Sequence, residues 1–411
     1  MAWHETDGGV TAPRGFRAAG TPCGIKSSGK PDVALIVSDV PCTAAGAFTR
    51  NLVKAAPIYV SQEHLADGRL QGIVANSGNA NALTPTGRAD AARMAQAAAL
   101  ATGLEPEQFG VASTGVIGVP LPVDRVERGI AAAAAQLSET GSDRAARAIL
   151  TTDTFPKTVA VAVDLGGVTV RIGAIAKGSG MIHPNMGTTL CFLTTDGAIP
   201  TPVLRPLLRE AVARSFDRIT VDGDTSTNDT CLMLANGLAG ASPLEPDTEP
   251  YRRFAQALGH VCTRMARAVA ADGEGATRLI TVTVSGAAHE DDAVRLARSV
   301  AGSSLVKAAL CGADANWGRV LCAMGYAGVS FEPSRVSVRF SSSVGELLVC
   351  QGGVGVPFAE GVAETILDRE EVTICIDLGV GDQTATCWGC DLTPDYVRIN
   401  GAYRRKHTER S

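Results

Sequence analysis

A lysine in a glycine-rich loop and a Gly–Thr bond lie close together in residues 176–196. Lys177 begins the loop KGSG, and the Gly187–Thr188 bond stands at the start of an apolar run. A small residue before a hydroxyl residue suits an N→O acyl shift, because the hydroxyl must reach the preceding carbonyl in a strained turn. Cleavage there leaves threonine as a new N-terminus, and threonine with its own amine as base is a known nucleophile. Alone, however, a Gly–Thr pair before an apolar run is more often an ordinary strand start.

Five further polar loops interrupt an otherwise apolar chain, and the first is the asparagine-rich NSGNAN at 76–81. Thr114 and Gly115 can aim a hydroxyl and a backbone N–H at one point, as an oxyanion requires, although simple turns do the same. Glu274 places a carboxylate between two glycines. The other two loops are TTDT at 151–154 and DGDTSTNDT at 222–230. Together with Lys177, they indicate a pocket for a small, charged, amino-acid-like ligand.

Composition narrows the class of protein. The chain has 411 residues, is 45% hydrophobic and carries a formal charge of −5, and it has no basic block interleaved with aromatic residues. We therefore expect no nucleic-acid partner. No uncharged apolar run reaches 18 residues and the N-terminus lacks a secretory signal, so we expect no membrane span and a cytoplasmic location. Eleven irregularly spaced cysteines are then expected to be reduced thiols in the core.

Several familiar motifs fail on inspection. The glycine-rich segment 24–30 is followed by Pro31 where a P-loop needs Ser or Thr. Residues 222–233 lack the turn glycine and final glutamate of an EF-hand. The Cys387–Cys390 pair has no second pair and no nearby histidine, which favours two core thiols over zinc or redox chemistry. The sequence thus predicts no metal site.

The distribution of apolar residues predicts an α/β (α+β) fold with mixed sheets layered with helices. Residues 1–15 are expected to be an unstructured lead, and 305–310 a strand. The clearest helices are predicted at 86–102, 123–137, 202–215 and 251–270. No Pro/Gly/Ser-rich linker separates domains, and the strongest internal break is the Gly187–Thr188 turn.

Longer strings make a family resemblance specific. In order along residues 14–403, the chain resembles the ornithine acetyltransferase (glutamate N-acetyltransferase) family of arginine biosynthesis. The resemblance implies that family's autoproteolytic fold, with self-cleavage giving an alpha chain of residues 1–187 and a beta chain of residues 188–411. It also implies an α2β2 heterotetramer. The strings are NSGNANA, STGVIG, ARAILTTDTFPK, KGSGMIHPNMGTTLCFLTTD, SFDRITVDGDTSTNDT, DGEGAT, ANWGRVLCAMGYAG and WGCDLTPDYVRIN.

The resemblance also implies roles for individual residues. Thr188 is the expected nucleophile, with its own amine as base, and Thr114 and Gly115 the expected oxyanion hole. The expected substrate-binding residues are Thr151, Thr152, Lys177, Thr188, Glu274 and Asn400. The chemistry suits these types, since Lys177 can pair with a carboxylate and Glu274 with an ammonium group.

Some positions depart from the family pattern. Gly187 replaces the usual alanine, which eases a strained turn, and Thr189 adds a second hydroxyl beside Thr188. Near the end of the chain, Arg405 stands where the family has a hydroxyl ligand, so Asn400 is carried over and Arg405 is not.

Three hypotheses follow. The first is an acetyltransferase that moves acetyl from N2-acetylornithine to glutamate, without a cofactor. The bifunctional version, which also takes acetyl-CoA as a co-substrate, is favoured because the motif set resembles such members. The second keeps the N-terminal threonine in an amidohydrolase or aminopeptidase, with water as acceptor. The third is a non-enzymatic amino-acid-binding protein, which needs no cleavage.

Overall fold

Two mixed β-sheets and their covering helices make up the fold. The computed structural model describes residues 3–183 and 189–401. In that part of the chain the strands form two sheets, and the strands are numbered in chain order with the ranges given below. The nine-stranded sheet has the order β1-β6-β7-β8-β9-β3-β4-β5, with β2 paired to β3. The six-stranded sheet has the order β13-β12-β11-β14-β10-β15. The strands of the larger sheet are β1 Trp3–Thr6, β2 Phe16–Thr21, β3 Val33–Phe48, β4 Arg69–Asn79, β5 Phe109–Val116, β6 Lys157–Asp164, β7 Thr169–Lys177, β8 Leu190–Thr195 and β9 Thr230–Ala235. The strands of the smaller sheet are β10 Leu279–Ala287, β11 Ser337–Ser342, β12 Gly345–Gln351, β13 Val354–Gly355, β14 Glu371–Asp377 and β15 Gln383–Cys390.

The helices are amphipathic and cover the sheets. They are α1 Ala56–His64, α2 Gly87–Thr102, α3 Val123–Ala134, α4 Ser142–Ala148, α5 Thr201–Ala213, α6 Glu249–Ala271, α7 Glu290–Gly302, α8 Ser304–Cys311, α9 Trp317–Gly325, α10 Glu360–Leu367 and α11 Pro394–Asn400. In α6, the longest described, buried residues recur every three or four positions from Phe254 to Ala270, which gives one apolar face. Helix α6 packs on β6 and β7 and also contacts β15, so it joins the two sheets.

Strands β8 and β9 run parallel through the middle of the larger sheet. Every residue of both is buried. Leu193 and Met233 belong to the core cluster that includes α5 and α6, whereas Phe192 and Leu232 belong to the cluster that includes α4. A strand covered on both faces needs a nearly continuous apolar run, which LCFL in β8 and CLMLA in β9 provide, and the remaining positions are threonines.

The predicted fold class is confirmed, but two local predictions were wrong. The predicted unstructured lead over 1–15 is wrong within the described residues, because β1 pairs antiparallel with β6 from Trp3↔Val163 to Thr6↔Ala160. Residues 305–310 lie in α8 rather than in a strand. The Ser303 side chain caps this helix by accepting a hydrogen bond from the backbone N–H of Val306, a start signal that outweighs the apolar character of the run.

The predicted chain boundary falls between two neighbouring strands of one sheet. Strand β7 ends at Lys177, and antiparallel β8 begins at Leu190, its register partner. Gly187 and Thr188 lie outside the described residues, so the division into residues 1–187 and 188–411 stays a prediction. Because β8 and β9 lie between β7 and β3, both predicted chains contribute strands to the larger sheet.

The helices and the cysteines bear on two further predictions. Among the helices of the described ranges, none has both the length and the apolar character to cross a bilayer. All eleven cysteines are free thiols. Cys387 and Cys390 are buried on β15, and burial raises the pKa of the Cys387 thiol to about 12. This thiol therefore remains protonated and unreactive at neutral pH.

Candidate active site

A small polar cavity lies where β7 ends and where β8 and β9 begin. Its volume is about 130 Å³, which suits a ligand of amino-acid size rather than a larger one. The cavity brings together seven residues that the sequence predicted for the site: Thr114, Gly115, Thr151, Thr152, Lys177, Glu274 and Asn400. The other lining residues are Ile117, Gly180, Met181, Thr189, Leu190, Ser226, Thr227, Asn228 and Asp229.

Two of the site residues owe their position to a close approach of two backbones. Gly115 on β5 has a φ of +135° and pairs with Gly78 on β4. A Cβ on Gly115 would lie 2.3 Å from the carbonyl carbon of Gly78, so only glycine fits. The neighbouring Thr114 hydroxyl then accepts a hydrogen bond from the Lys177 ammonium at 3.5 Å.

Lys177 is the last residue of β7 and is 7% exposed. Its ammonium lies 3.9 Å from the Asp153 carboxylate, whose side chain is wholly buried. Asp153 also pairs with Lys157 at 2.8 Å and accepts the backbone N–H groups of Gly178 and Thr151 at 2.7 and 3.0 Å. Asp153 thereby fixes both Lys177 and the loop that carries Thr151.

The charge state of Asp153 follows from these partners. Burial by itself favours the neutral acid, but the ammonium groups of Lys177 and Lys157 outweigh it and hold the pKa of the Asp153 carboxyl below its ordinary value. The carboxylate is therefore ionised at neutral pH. The sequence showed an acid in this loop but gave no sign that two lysines would converge on it.

Glu274 lies against the glycine loop that follows β7. It is 8% exposed, and its backbone N–H donates to the Ser179 carbonyl at 3.0 Å. A Cβ on Gly180 would lie 2.4 Å from the Glu274 carboxylate, so any other residue there would displace this carboxylate from its present position. The Asn400 amide, at the end of α11, donates to the same carboxylate at 2.7 Å.

Asp229 is a cavity residue that the sequence analysis did not single out. It is 1% exposed, and within the described part of the chain neither of its carboxyl oxygens has a hydrogen-bond partner. Burial raises the pKa of this carboxyl well above its ordinary value. The Ser226 and Thr49 hydroxyls, the Lys177 ammonium and the Thr189 backbone N–H are near enough to favour the charged form, but burial outweighs them. The Thr49 hydroxyl donates to the Ser226 carbonyl. A carboxyl group whose neutral form is favoured by burial therefore faces the cavity.

Asp229 also lies beside the residue that follows the predicted nucleophile. Leu190 of β8 pairs with Thr230 of β9, and the backbone N–H of Thr230 donates to the Thr189 carbonyl at 2.9 Å. Thr189 and Asp229 each lie one position before these paired residues, so Asp229 flanks Thr189. The signal in the sequence was an acid directly before a wholly apolar run, which carries that acid into the core.

The cavity offers an ammonium, carboxyl groups and hydroxyls, but no metal cluster. Within residues 3–183 and 189–401, no three His, Cys, Asp or Glu side chains lie close enough to hold a metal ion. Thr188 and Gly187 lie outside those ranges, although Thr189 lines the cavity. These features define a mixed α/β protein with a small cavity that is lined by side chains of opposite charge.

Comparisons with known proteins identify the family. The ArgJ family model matches residues 17–405. The arginine biosynthesis bifunctional protein ArgJ of Symbiobacterium thermophilum is 58% identical over 97% of this chain and 98% of its own. The chain therefore belongs to the ArgJ family, an enzyme family of arginine biosynthesis. The predicted resemblance, and with it the assignment as an acetyltransferase of that pathway, is confirmed.

Two solved structures are also similar. An arginine biosynthesis bifunctional protein from Bacillus halodurans is 41% identical, with a TM-score of 0.50, and covers 52% of this chain and 98% of its own. An ornithine acetyltransferase from Mycobacterium tuberculosis, solved in complex with ornithine, is 44% identical with a TM-score of 0.42. It covers 44% of this chain and 98% of its own.

Proposed function

We propose that this enzyme moves acetyl from N2-acetylornithine to glutamate through an acetyl-Thr188 intermediate. The observation that carries the proposal is the convergence of Lys177, Glu274 and Thr114 on one cavity that Thr189 also lines. The first two residues supply opposite charges for a zwitterionic substrate. Thr189 ties the cavity to the predicted nucleophile by a single peptide bond.

Substrate binding follows from charge and burial. The Lys177 ammonium pairs with the α-carboxylate of the amino acid, and the Glu274 carboxylate pairs with the ammonium group of ornithine. Asn400 orients Glu274, while Thr151 and Thr152 line the wall held by Asp153. Both charged side chains are more than nine-tenths buried, so their pairing with substrate is only weakly screened by solvent.

The chemistry consists of two acyl transfers. The Thr188 hydroxyl attacks the acetyl carbonyl, and the Thr188 amine accepts the hydroxyl proton. The Thr114 hydroxyl and the Gly115 N–H stabilise the oxyanion. The C–N bond then breaks, the proton passes to the departing nitrogen, and ornithine leaves an acetyl ester on Thr188. The glutamate amine attacks this ester by the same steps in reverse.

We also propose that the nucleophile is released by self-cleavage. The Thr188 hydroxyl attacks the Gly187 carbonyl, and water hydrolyses the resulting ester to leave a carboxylate on Gly187 and a free amine on Thr188. The solved Bacillus halodurans chain, matched over 98% of its length, spans about half of this chain. A precursor divided near its middle fits that observation. The shared larger sheet would hold the two chains together.

The wider assignment is part of the same proposal. Relatives named bifunctional support acetyl-CoA as a second donor, which would let the enzyme acetylate glutamate without acetylornithine. The proposal includes no cofactor and no metal. The proposal also includes an α2β2 assembly and a cytoplasmic location.

Intact mass, N-terminal sequencing and transfer assays test this function. We expect two fragments, the second beginning at Thr188, and we expect Thr188→Ala to remain uncut and to lose acetyl transfer by at least ~10³-fold. Thr189→Ala is the matched control and should still be cut before residue 188. An uncut wild-type chain that transfers acetyl would contradict the mechanism. Release of acetate at an undiminished rate without glutamate would instead indicate an amidohydrolase.

A further inference from the structure

A second cavity adjoins the first across a thin wall. Its volume is about 440 Å³, and Thr151 lines both cavities. Gly78 lines the second cavity and pairs with Gly115, which lines the first. The two glycine backbones are in direct contact, so a ligand that spans both cavities must pass beside Thr151 rather than between these strands.

The second cavity is rich in cations. Lys26, Lys30 and Arg147 line it together with the hydroxyls of Ser27 and Ser28. Its carboxylate, Asp153, is already bound by Lys157 and Lys177. The lining therefore carries more positive than negative side chains, and nearby carboxylates offset only part of that charge.

The two lysines differ from the arginine in their partners. Arg147 is paired with Asp143 at 2.8 Å. Among the described residues, neither Lys26 nor Lys30 forms an ion pair with a carboxylate, and the Lys26 ammonium donates to the Pro31 carbonyl at 2.7 Å. Burial lowers the pKa of Lys26 to about 8; the Asp32 carboxylate opposes this effect and the positive charge of Lys177 adds to it. A bound anion would favour the charged form of Lys26.

The loop that carries these lysines is firmly built. The Asp32 carboxylate, fully buried, accepts the backbone N–H groups of Cys23, Ile25 and Lys26 at 2.6, 2.8 and 3.0 Å. The Arg125 guanidinium donates to the Gly24 carbonyl at 3.2 Å. The loop is thus pre-organised with Lys26, Ser27 and Lys30 at the cavity, which reduces the entropy lost on binding.

We propose that the second cavity binds the phosphate-bearing part of an acyl-CoA donor, with its thioester arm passing Thr151 to the acetyl-accepting pocket. This inference rests on the proposed use of acetyl-CoA. Acetylornithine carries no phosphate and occupies only the first cavity. The two donors are therefore distinguished by a cationic site that only one of them reaches.

The test compares both donors on the same enzyme. In the Lys26→Ala/Lys30→Ala variant, we expect the KM for acetyl-CoA to rise at least about tenfold, because two charge-assisted contacts are lost. Acetyl transfer from N2-acetylornithine to glutamate should change less than about twofold. S-acetylpantetheine, which has the thioester but lacks the nucleotide phosphates, should be a poor donor that is indifferent to the substitution.

Lys54→Ala is the matched control. The Lys54 ammonium also donates to a nearby backbone carbonyl, that of Asn51 at 2.8 Å, but Lys54 lines neither cavity. An unchanged KM for acetyl-CoA in the double variant would overturn the site, as would an equal loss with both donors. A wild-type enzyme that exchanges acetyl between ornithine and glutamate but neither binds nor uses acetyl-CoA would overturn this inference alone.

Discussion

Asp153 and Asp229 are both buried acids near Lys177, but their surroundings differ: Asp229 lines the first cavity, whereas Asp153 lines the second and pairs with Lys177 from behind. Asp153 has two ammonium groups and two backbone N–H donors around it. Asp229 has no hydrogen-bond partner for either oxygen in the described part of the chain. The pKa of the first carboxyl is lowered and that of the second is raised.

The difference indicates that the two carboxyl groups have different roles. Asp153 places Lys177 and the Thr151 loop, so its charge contributes to both structure and site. Asp229 holds nothing in place through its side chain, and burying it without a partner costs free energy. A costly group that faces a pocket is expected to serve the reaction rather than the fold.

The largest effect is expected from Asp153→Asn. Removing one partner of a buried charge network leaves the lysines undercompensated, which typically costs about 3 kcal/mol or more. We expect the melting temperature to fall by roughly 5 °C or more and the KM for acetylornithine to rise, because Lys177 loses its anchor. Asp143→Asn is the control, since that exposed carboxylate pairs with Arg147 at the surface and its loss should leave the melting temperature almost unchanged. Equal melting temperatures for both variants would contradict the stabilising role assigned to the buried Asp153 carboxylate.

A smaller and opposite change is expected from Asp229→Asn. The amide keeps the shape of the side chain but removes the cost of burying an ionisable group, so we expect a gain of ~1–2 kcal/mol at pH 7. Acetyl transfer, measured as kcat with both donors, should fall by about tenfold or more. A lower melting temperature for this variant would mean that the carboxylate has a stabilising partner. Unchanged transfer would mean that the pocket does not use it.

The smallest effect is a difference in pH dependence. The ordinary pKa of both groups is 3.8. Because the folded-state pKa of Asp229 is raised, its contribution to stability is full below pH 4 and is lost as the pH rises toward the folded-state value. The stabilising contribution of Asp153, with its lowered pKa, is present above pH 4 and is lost at lower pH.

Thermal unfolding between pH 3 and pH 8 measures both slopes. The advantage of Asp229→Asn over wild type should widen above pH 4, by at most ~1.4 kcal/mol per pH unit. The deficit of Asp153→Asn should stay constant from pH 5 to pH 8 and shrink below pH 4. Parallel curves for the two variants would show that the carboxyls do not differ in ionisation.

Local sequence was sufficient for much of the fold. The predicted helix at 86–102 matches α2 at Gly87–Thr102, which ends at Gly103 in a left-handed conformation. The strand β1 was missed because four alternating residues give little local signal, and its pairing with β6 spans more than 150 positions. Helix α8 was missed because a short apolar run fits either structure until its cap is considered.

The sequence by itself determined the family, the fold class and the residue types of the pocket, because long ordered strings and glycine-flanked polar loops need no coordinates to be recognised. It could not separate Asp153 from Asp229. Both acids follow a polar residue and precede a threonine, in Thr152-Asp153-Thr154 and Asn228-Asp229-Thr230. Lys157 is four residues from the first acid, but only the tertiary structure brings Lys177 and Asp272 to this cluster and leaves the oxygens of the second acid without a hydrogen-bond partner among the described residues. The charge of a buried acid depends on neighbours that the fold supplies from distant positions in the chain.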